Sequence, residues 1–347
     1  MSLNQNLEQL SNAQGVTGRE SEVRDLMIRL MTPYVDEIFV DKLENVIGIK
    51  KGKEKAARIM LAAHMDEVGL MVKTITKDGF LQFVKMGGID DRILPAQSVR
   101  VFSKKAAFPG IIGSKPPHIQ KEEERKKILA SDELFIDVGA ESKDDAKAMG
   151  IEIGDPVGFD IKYTPVGKGA AIGKAFDNRA GCAVMVEALK LLDRTDCAVY
   201  AVGTIQEEVG LRGAGTAAFK VDPDLAIALD VTIAGDVPGV REYDTTVKMG
   251  KGPAITITDS GLITHPKILR WLLETAEEEK IPFQTETGLM GSTDAARISL
   301  TRQGIPSGNI SVPTRYIHSP AGVVSLSDIE NSAKLTAAAI KRIGAYF

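Results

Sequence analysis

The stretch RIMLAAHMD, at positions 58–66, decides the fold. Residues 59–63 form an unbroken apolar run, which is typical of a strand buried on both faces in a parallel sheet covered by helices. His64 and Asp66 follow this run directly. Ligands of open α/β sheets bind beyond the carboxyl ends of the strands, so the stretch predicts an α/β fold with polar chemistry at one sheet edge.

Segments on both sides of this strand alternate between helical and extended patterns. Helices are predicted at 20–31, 178–192, 266–280 and 329–345, and strands at 45–50, 198–205, 225–229 and 309–317. This alternation predicts a mixed, largely parallel sheet with helices on both faces. Residues 69–164 differ, because short β-like runs there alternate with Gly, Pro and Asp turns. We therefore predict a catalytic domain of residues 1–68 and 165–347, interrupted by an inserted β-rich domain of residues 69–164.

The composition narrows the class of protein. The chain has 347 residues, which is long enough for two compact domains, and a net charge of -4. It therefore lacks the basic excess that favours nucleic acid or an anionic membrane, and it has no apolar run of membrane-spanning length. Cys182 and Cys197 stand in apolar stretches and are interpreted as buried free thiols. We predict a cytoplasmic protein without nucleic-acid or membrane partners.

Residue types that bind metals directly follow four of the predicted strands. These residues are His64, Glu207, Glu208, Asp230 and His318. Polar residues also follow strands simply because loops are polar, so each position proves little alone. The joint pattern is stronger, since two of only four histidines occupy such positions. Pairs of divalent ions bind imidazoles and carboxylates, so the set predicts a dinuclear metal site that lacks only a bridging carboxylate.

Asp177 is the candidate for that bridge. It precedes the predicted helix that begins near Asn178, so its position alone favours a helix N-cap. The two roles are compatible, because a carboxylate at a helix start can face an active-site edge. Asp66 is then expected to accept the remaining ring N–H of His64 and so to fix the orientation of that ring.

The adjacent pair Glu207 and Glu208 predicts a division of roles. Successive side chains on an extended segment point in different directions, so one can bind metal while the other stays free. We assign Glu208 to the metal and Glu207 to the general base. The alternative is a pair of exposed glutamates in a loop, although such loops rarely follow a wholly apolar strand.

The remaining polar segments carry weaker predictions. His265 precedes a proline and is expected at a helix boundary. His118, after two prolines, is a candidate for lining a substrate cleft. The turn-rich stretches 256–260 and 291–294, the second of which contains Ser292, Thr293 and Asp294, are candidates as well, or they are simply turns.

The sequence resembles the M42 metallo-aminopeptidases, cytosolic enzymes of the tetrahedral aminopeptidase type that include glutamyl aminopeptidases. The resemblance extends along nearly the whole chain. It is carried by AAHMDEVG (62–69), GSKPPH (113–118), AFDNRAG (175–181), QEEVGLRGA (206–214), ALDVT (228–232), GSTDA (291–295) and VPTRYIHSP (312–320). This set of motifs, in this order, is highly specific.

The resemblance implies a ligand set close to the one inferred from the residues. His64, Asp230, Glu208 and His318 bind the metals, Asp177 bridges them, and Glu207 is the base. It also implies a cis peptide bond after Asp177, a PDZ-like or barrel-like insert that serves for dimerisation, and dimers that assemble into a hollow dodecamer. Two positions depart from the family pattern: Ser292 replaces a usual glycine, and Ala321-Gly322 stands where an acidic residue is frequent.

We therefore expect an aminopeptidase that removes N-terminal residues from short peptides by means of a metal-activated water, with Glu207 as the general base. The expected ions are zinc or cobalt, and manganese also suits such ligands. One alternative is a metal-dependent deacylase of N-acyl amino acids, which can use a similar ligand set. A glycosidase would leave both site histidines unexplained. A non-catalytic peptide-binding protein is the third alternative.

Overall fold

A computed structural model of the protein describes residues 1–53, 56–288 and 291–347. The strands in these ranges are β1 Glu37–Val40, β2 Val46–Lys50, β3 Arg58–His64, β4 Gly69–Ile75, β5 Leu81–Met86, β6 Ser98–Phe102, β7 Ala107–Gly113, β8 Phe135–Asp137, β9 Pro156–Phe159, β10 Thr164–Val166, β11 Ala170–Gly173, β12 Ala198–Thr204, β13 Leu225–Ile233, β14 Ala254–Thr258, β15 Gln284–Thr287, β16 Ser307–Arg315 and β17 Gly322–Ser325. The α-helices are α1 Leu3–Asn12, α2 Ser21–Met31, α3 Glu122–Arg125, α4 Lys143–Ala148, α5 Phe176–Lys190, α6 Arg212–Val221, α7 Pro266–Glu278, α8 Asp294–Ser299 and α9 Leu326–Lys341.

Eleven strands form one large mixed sheet, in the order β1-β2-β12-β3-β13-β16-β17-β11-β10, and β14 and β15 extend from β16. Only the four strands β12, β3, β13 and β16 form a continuous parallel block among the described residues. The other strand pairs are antiparallel except for β14 with β15, so the prediction of a largely parallel sheet is wrong in extent. The reason is connectivity: β1 and β2, like β10 and β11, are joined by short turns, and a short turn can connect only antiparallel strands.

Helices cover both faces of this sheet, as the sequence predicts. Alternate side chains of β3 point to opposite faces, so Ile59 and Leu61 enter the core beneath α5 and α9, while Met60 and Ala62 enter the core beneath α6. The unbroken apolar run of β3 is therefore explained by burial on both sides.

The remaining six strands, β4 to β9, close into a barrel in the order β4-β5-β8-β7-β6-β9. The barrel has its own core, which includes Leu70, Leu81, Val99, Ile136 and Val157. The chain enters the barrel five residues after His64 and leaves it shortly before β10. The barrel therefore interrupts the large sheet immediately beside the strand end that carries His64.

Local sequence signals explain where several helices begin. The apolar residues of α2 at helical spacing, Val23, Leu26, Met27 and Leu30, are all buried. The ring of His265 accepts a hydrogen bond from the backbone N–H of Lys267, and Pro266 opens α7, as expected at a helix start. Among the described helices, none has the length and apolar character that a membrane span requires.

Candidate active site

The carboxyl edge of the parallel block brings the first two candidate ligands together. In the register of β3 and β13, Ala62 is opposite Ala228, so Asp230 lies level with His64, the last residue of β3. The prediction that the strand ends before Asp230 is wrong, because β13 continues to Ile233. Nε2 of His64 is 3.8 Å from Oδ1 of Asp230. Both side chains are almost completely buried.

Asp177 lies between the two histidines. Its Oδ1 is 3.1 Å from Nε2 of His64, and its Oδ2 is 3.3 Å from Nε2 of His318. The peptide bond from Asp177 to Asn178 is cis, and both residues have non-helical dihedral angles inside the first turn of α5. The cap position belongs to Ala175, so the prediction of an N-cap role for Asp177 is wrong: its carboxylate faces the site instead of the helix end.

A backbone carbonyl of the barrel fixes the orientation of His318. Its Nδ1 is 2.9 Å from the carbonyl oxygen of Gly88, an acceptor that requires a proton on Nδ1. Nε2 therefore directs its lone pair into the site, 3.4 Å from Oε2 of Glu208. A Cβ atom at position 88 would lie only 3.2 Å from the imidazole, so glycine permits this close approach.

Asp66 organises the segment that carries the two glutamates. It is fully buried, its Oδ1 accepts from the backbone N–H of Glu207 at 3.0 Å, and its Oδ2 accepts from the N–H of Glu208 at 3.2 Å and from the hydroxyl of Thr17 at 2.8 Å. Nδ1 of His64 lies 3.2 Å from the carbonyl oxygen of Asp66 and 3.4 Å from its Oδ1. Asp66 thus contacts both His64 and the backbone of the glutamate pair, and so fixes the position of the ring relative to the two glutamates.

The site contains more carboxylates than its histidines can neutralise. Burial raises the pKa of Glu208 to about 8, and the charge of Asp177 adds to the shift. Burial also raises the pKa of Asp230 to about 8 and that of Glu207 well above its usual value. The contact with Asp177 raises the pKa of His318 to about 9. Divalent cations would remove this electrostatic imbalance.

The donor atoms fit two such cations. His64, Asp177 and Asp230 offer ligand atoms within 4.8 Å of one another, and Asp177, Glu208 and His318 do the same, so the two groups share Asp177. Oε1 of Glu208 is buried without a hydrogen-bond partner, which is costly for a polar atom unless a ligand binds it. His64, Glu207 and Glu208 form a third compatible group. Imidazole and carboxylate donors suit zinc, cobalt and manganese.

A cavity of about 650 Å³ opens beside these residues. Ser292 and Thr293 line it. Asp294 does not: it is 1% exposed and accepts a hydrogen bond from the hydroxyl of Thr204 beneath the site. His118 lies exposed on a short 3₁₀ turn of the barrel unit, outside the cavity lining. Within one chain, therefore, neither Asp294 nor His118 has the expected position in the cleft.

Other polar residues of the cavity are missed by the sequence reasoning. They are Glu286, Asn309 and Ser311, whereas Thr256 and Asp259 belong to the turn-rich stretch 256–260 that the sequence offers as a cleft candidate. Asn309 and Ser311 stand two positions apart on β16, and a polar pair at that spacing inside a buried strand is the signal that could have identified them. No sequence motif connects them to Glu286, which comes from the separate strand β15.

The chain matches the family model described as M42 glutamyl aminopeptidase over residues 44–335. It belongs to this family. A putative aminopeptidase of Acetivibrio thermocellus is 44% identical over an alignment that covers 96% of this chain and 97% of the relative. Aminopeptidase APDkam598 of the archaeon Desulfurococcus kamchatkensis superimposes with a TM-score of 0.94 at 43% identity, covering 98% of this chain and 94% of that chain.

A second solved structure belongs to the TET1 peptidase of Pyrococcus horikoshii, which can assemble into a tetrahedron or a large octahedral shell. It matches this M42 chain with a TM-score of 0.88 at 32% identity, and the match covers 98% and 99% of the two chains. The protein is therefore an aminopeptidase, a hydrolase of peptides. This identification favours the aminopeptidase prediction over the deacylase, glycosidase and binding-protein alternatives.

Proposed function

We propose that this M42 peptidase is a dinuclear-metal aminopeptidase of short peptides. The observation that carries the proposal is the position of Asp177, which directs one carboxylate oxygen to His64 and the other to His318. His64, Asp177 and Asp230 would hold one ion, and Asp177, Glu208 and His318 would hold the other. Two divalent ions in such a site polarise a carbonyl group and lower the pKa of water.

Glu207 is the general base of this proposal. Its Oε2 is 3.8 Å from Nε2 of His64, and it belongs to neither of the two groups that share Asp177. Burial raises the pKa of Glu207, and a carboxylate of raised basicity can take a proton from water and then give it to the leaving amine. The hydrogen bond from its backbone N–H to Asp66 fixes the segment from which Glu207 projects.

The barrel of residues 69–164 is proposed as a separate domain that mediates dimerisation. Five large apolar side chains are exposed on this unit: Val84, Ile111, Ile119, Ile128 and Ile153. These side chains would supply apolar surface to such a contact. By analogy with the TET1 relative, for which a dodecamer has been solved and which can assemble into a tetrahedron, we infer a homo-oligomer, with a dodecamer as the expected form.

Hydrolysis of short peptides with free or acetylated N-termini tests the proposed function. The protein is treated with EDTA, dialysed, and assayed again after addition of zinc, cobalt or manganese. Activity on free N-termini only, restored with two ions bound per chain, is the expected result. Activity on acetylated peptides alone, or full activity with one ion per chain, would overturn the proposal.

A further inference from the structure

The cavity extends away from the candidate metal ligands along β13. Asp230 stands at its inner end, and Thr232, two residues later on the same strand, also lines it. Two residues of a strand span roughly 7 Å. The volume of about 650 Å³ lies within the range of pockets that enclose small ligands. There is thus room for a long side chain beside the reacting centre.

Two carboxylates occupy the part of the cavity beyond Thr232. Glu286 accepts hydrogen bonds from the hydroxyl groups of Thr232 and Thr256, the latter at 3.4 Å. Burial raises the pKa of Glu286, and the nearby charge of Asp259 raises it further. The two acidic groups are therefore close enough to repel each other.

Neither carboxylate has a cationic partner in the part of the chain that the structure describes. Oδ1 of Asp259 accepts the backbone N–H groups of Gly261 and Leu262, but its Oδ2 is buried without any hydrogen-bond partner. The described residues that line the cavity include neither lysine nor arginine. The cationic side chains of the described lining are thus limited to the histidines His64 and His318, which belong to the candidate metal site, and neither forms an ion pair with Asp259 or Glu286.

A third acceptor points to a ligand with hydrogen-bond donors. Asn309 is 2% exposed and lines the same cavity, and its Nδ2 donates to the hydroxyl groups of Thr256 and Ser311. Its Oδ1 has no partner. Buried acceptors without donors are rare in folded proteins, because each one loses its hydrogen bond to water.

The hydroxyl bonds to Glu286 have a structural role, since they connect β15 with β13 and β14. They do not neutralise its charge, because hydroxyl groups are uncharged donors. Two close, half-buried carboxylates without a counter-ion are costly, and a cation between them would remove that cost. An acidic ligand would increase it.

We propose that this cavity binds the N-terminal side chain of the substrate and selects lysine or arginine, with Asp259 and Glu286 as the specificity-determining residues. This inference rests on the proposed function of the adjacent site. The apolar side chains of Val237 and Val240 line the cavity and would contact the methylene groups of the substrate side chain. The ammonium or guanidinium group would then supply the donors that Oδ2 of Asp259 and Oδ1 of Asn309 lack.

Aminoacyl-p-nitroanilides of Lys, Arg, Leu and Glu test the inference on the full-length, metal-loaded enzyme. We expect kcat/KM for Lys and Arg to exceed that for Leu by about tenfold or more, with Glu the poorest substrate. D259N and E286Q should each lower the Lys-to-Leu ratio of kcat/KM by about ten- to hundredfold, the range for a hydrogen bond to a charged group. The double variant D259N/E286Q should lower it further.

E242Q is the matched control, because Glu242 is exposed and lies outside the cavity lining. It removes the same charge and should leave the Lys-to-Leu ratio unchanged. D259K introduces a positive charge into the cavity and should raise the Glu-to-Lys ratio of kcat/KM. This is a gain of activity on one substrate, so it cannot result from a general loss of activity. The inference would be overturned, and the proposed function would stand, if the wild type preferred Leu or Glu. The same holds if D259N and E286Q left the Lys-to-Leu ratio of kcat/KM unchanged. Absence of hydrolysis of every substrate with two ions bound would overturn the proposed function as well.

Discussion

Lys174 and Glu67 form a buried ion pair, with Nζ of the lysine 2.7 Å from Oε1 and 2.8 Å from Oε2 of the carboxylate. Arg179 shares Oε1 of Glu67 at 3.1 Å. Lys174 and Arg179 stand on either side of Asp177 in the sequence, and Glu67 stands three residues after His64. The cluster therefore connects the segment that carries Asp177, the proposed bridging carboxylate, to the strand end that carries His64.

Removing one partner of this cluster should destabilise the protein strongly. K174M leaves the charge of Glu67 with only Arg179 as a cationic partner, and breaking a buried pair typically costs about 3–5 kcal/mol. The expected result is a large fall in the thermal unfolding midpoint and weaker metal binding. K53M is the control, because Lys53 pairs with Asp196 at the surface, where both side chains are more than 70% exposed. Equal midpoints for the two variants would contradict the structural role of Lys174.

Substitution of Glu207 should separate catalysis from metal binding. E207Q removes the proton acceptor but no proposed ligand, so kcat should fall about 10²- to 10⁴-fold while both ions remain bound. E208Q is the paired variant, and it should lower the metal content of the dialysed protein. Metal content is measured by elemental analysis beside the kinetic assay. Loss of metal in E207Q would instead identify Glu207 as a ligand, in agreement with its proximity to His64 and Glu208.

The proposed bridging role of Asp177 predicts an unequal effect of two Asp→Asn substitutions. D177N removes a ligand from both proposed groups, whereas D230N removes a ligand only from the group that contains His64. Calorimetric titration of the metal-free protein should therefore show both sites weakened in D177N and one site retained in D230N. D244N serves as the control, because Asp244 is exposed and belongs to none of the candidate ligand groups. Retention of one tight site in D177N would show that Asp177 does not bridge.

Much of this arrangement follows from the sequence, because it depends on strand ends. The apolar run before His64 and the runs before Asp230 and Glu207 predict strands, and parallel neighbours necessarily bring their carboxyl ends together. The orientation of Asp177 cannot be predicted from its neighbours in the sequence, because an aspartate before a helix indicates an N-cap. Only the contacts with His64 and His318 show that its side chain turns away from the helix.

The cavity residues are the least predictable part of the site. Glu286 belongs to an edge strand whose sequence, QTET, has no distinctive pattern, and its relation to Asp259 arises only when β14 and β15 pair. The antiparallel flanks of the sheet were also difficult to predict, since short strands such as β10 and β17 carry too few residues for a clear periodicity.

The buried carboxyl group of Glu20 should make stability depend on pH. It accepts hydrogen bonds from the backbone N–H groups of Gly18 and Gln206, the residue before Glu207. Burial, together with the charge of Asp66, raises its pKa from 4.5 to about 7. Between these two values the folded state holds a proton that the unfolded state has released, so the stabilisation present below pH 4.5 is lost as the pH rises to about 7.

E20Q should remove this dependence, because glutamine does not titrate. Relative to wild type, the variant should therefore gain up to about 3 kcal/mol between pH 4.5 and pH 8, the free energy that corresponds to the shift. The measurement is the unfolding midpoint of metal-loaded wild type and variant across this pH range, so that changes in metal binding act on both proteins alike. E22Q, at an exposed position in the first turn of the helix that follows Glu20, should give a profile parallel to that of wild type. If E20Q also gave a profile parallel to that of wild type, Glu20 would already be ionised at pH 5 in the folded protein. Its carboxylate would then be better solvated than its burial and its contact with Gln206 imply.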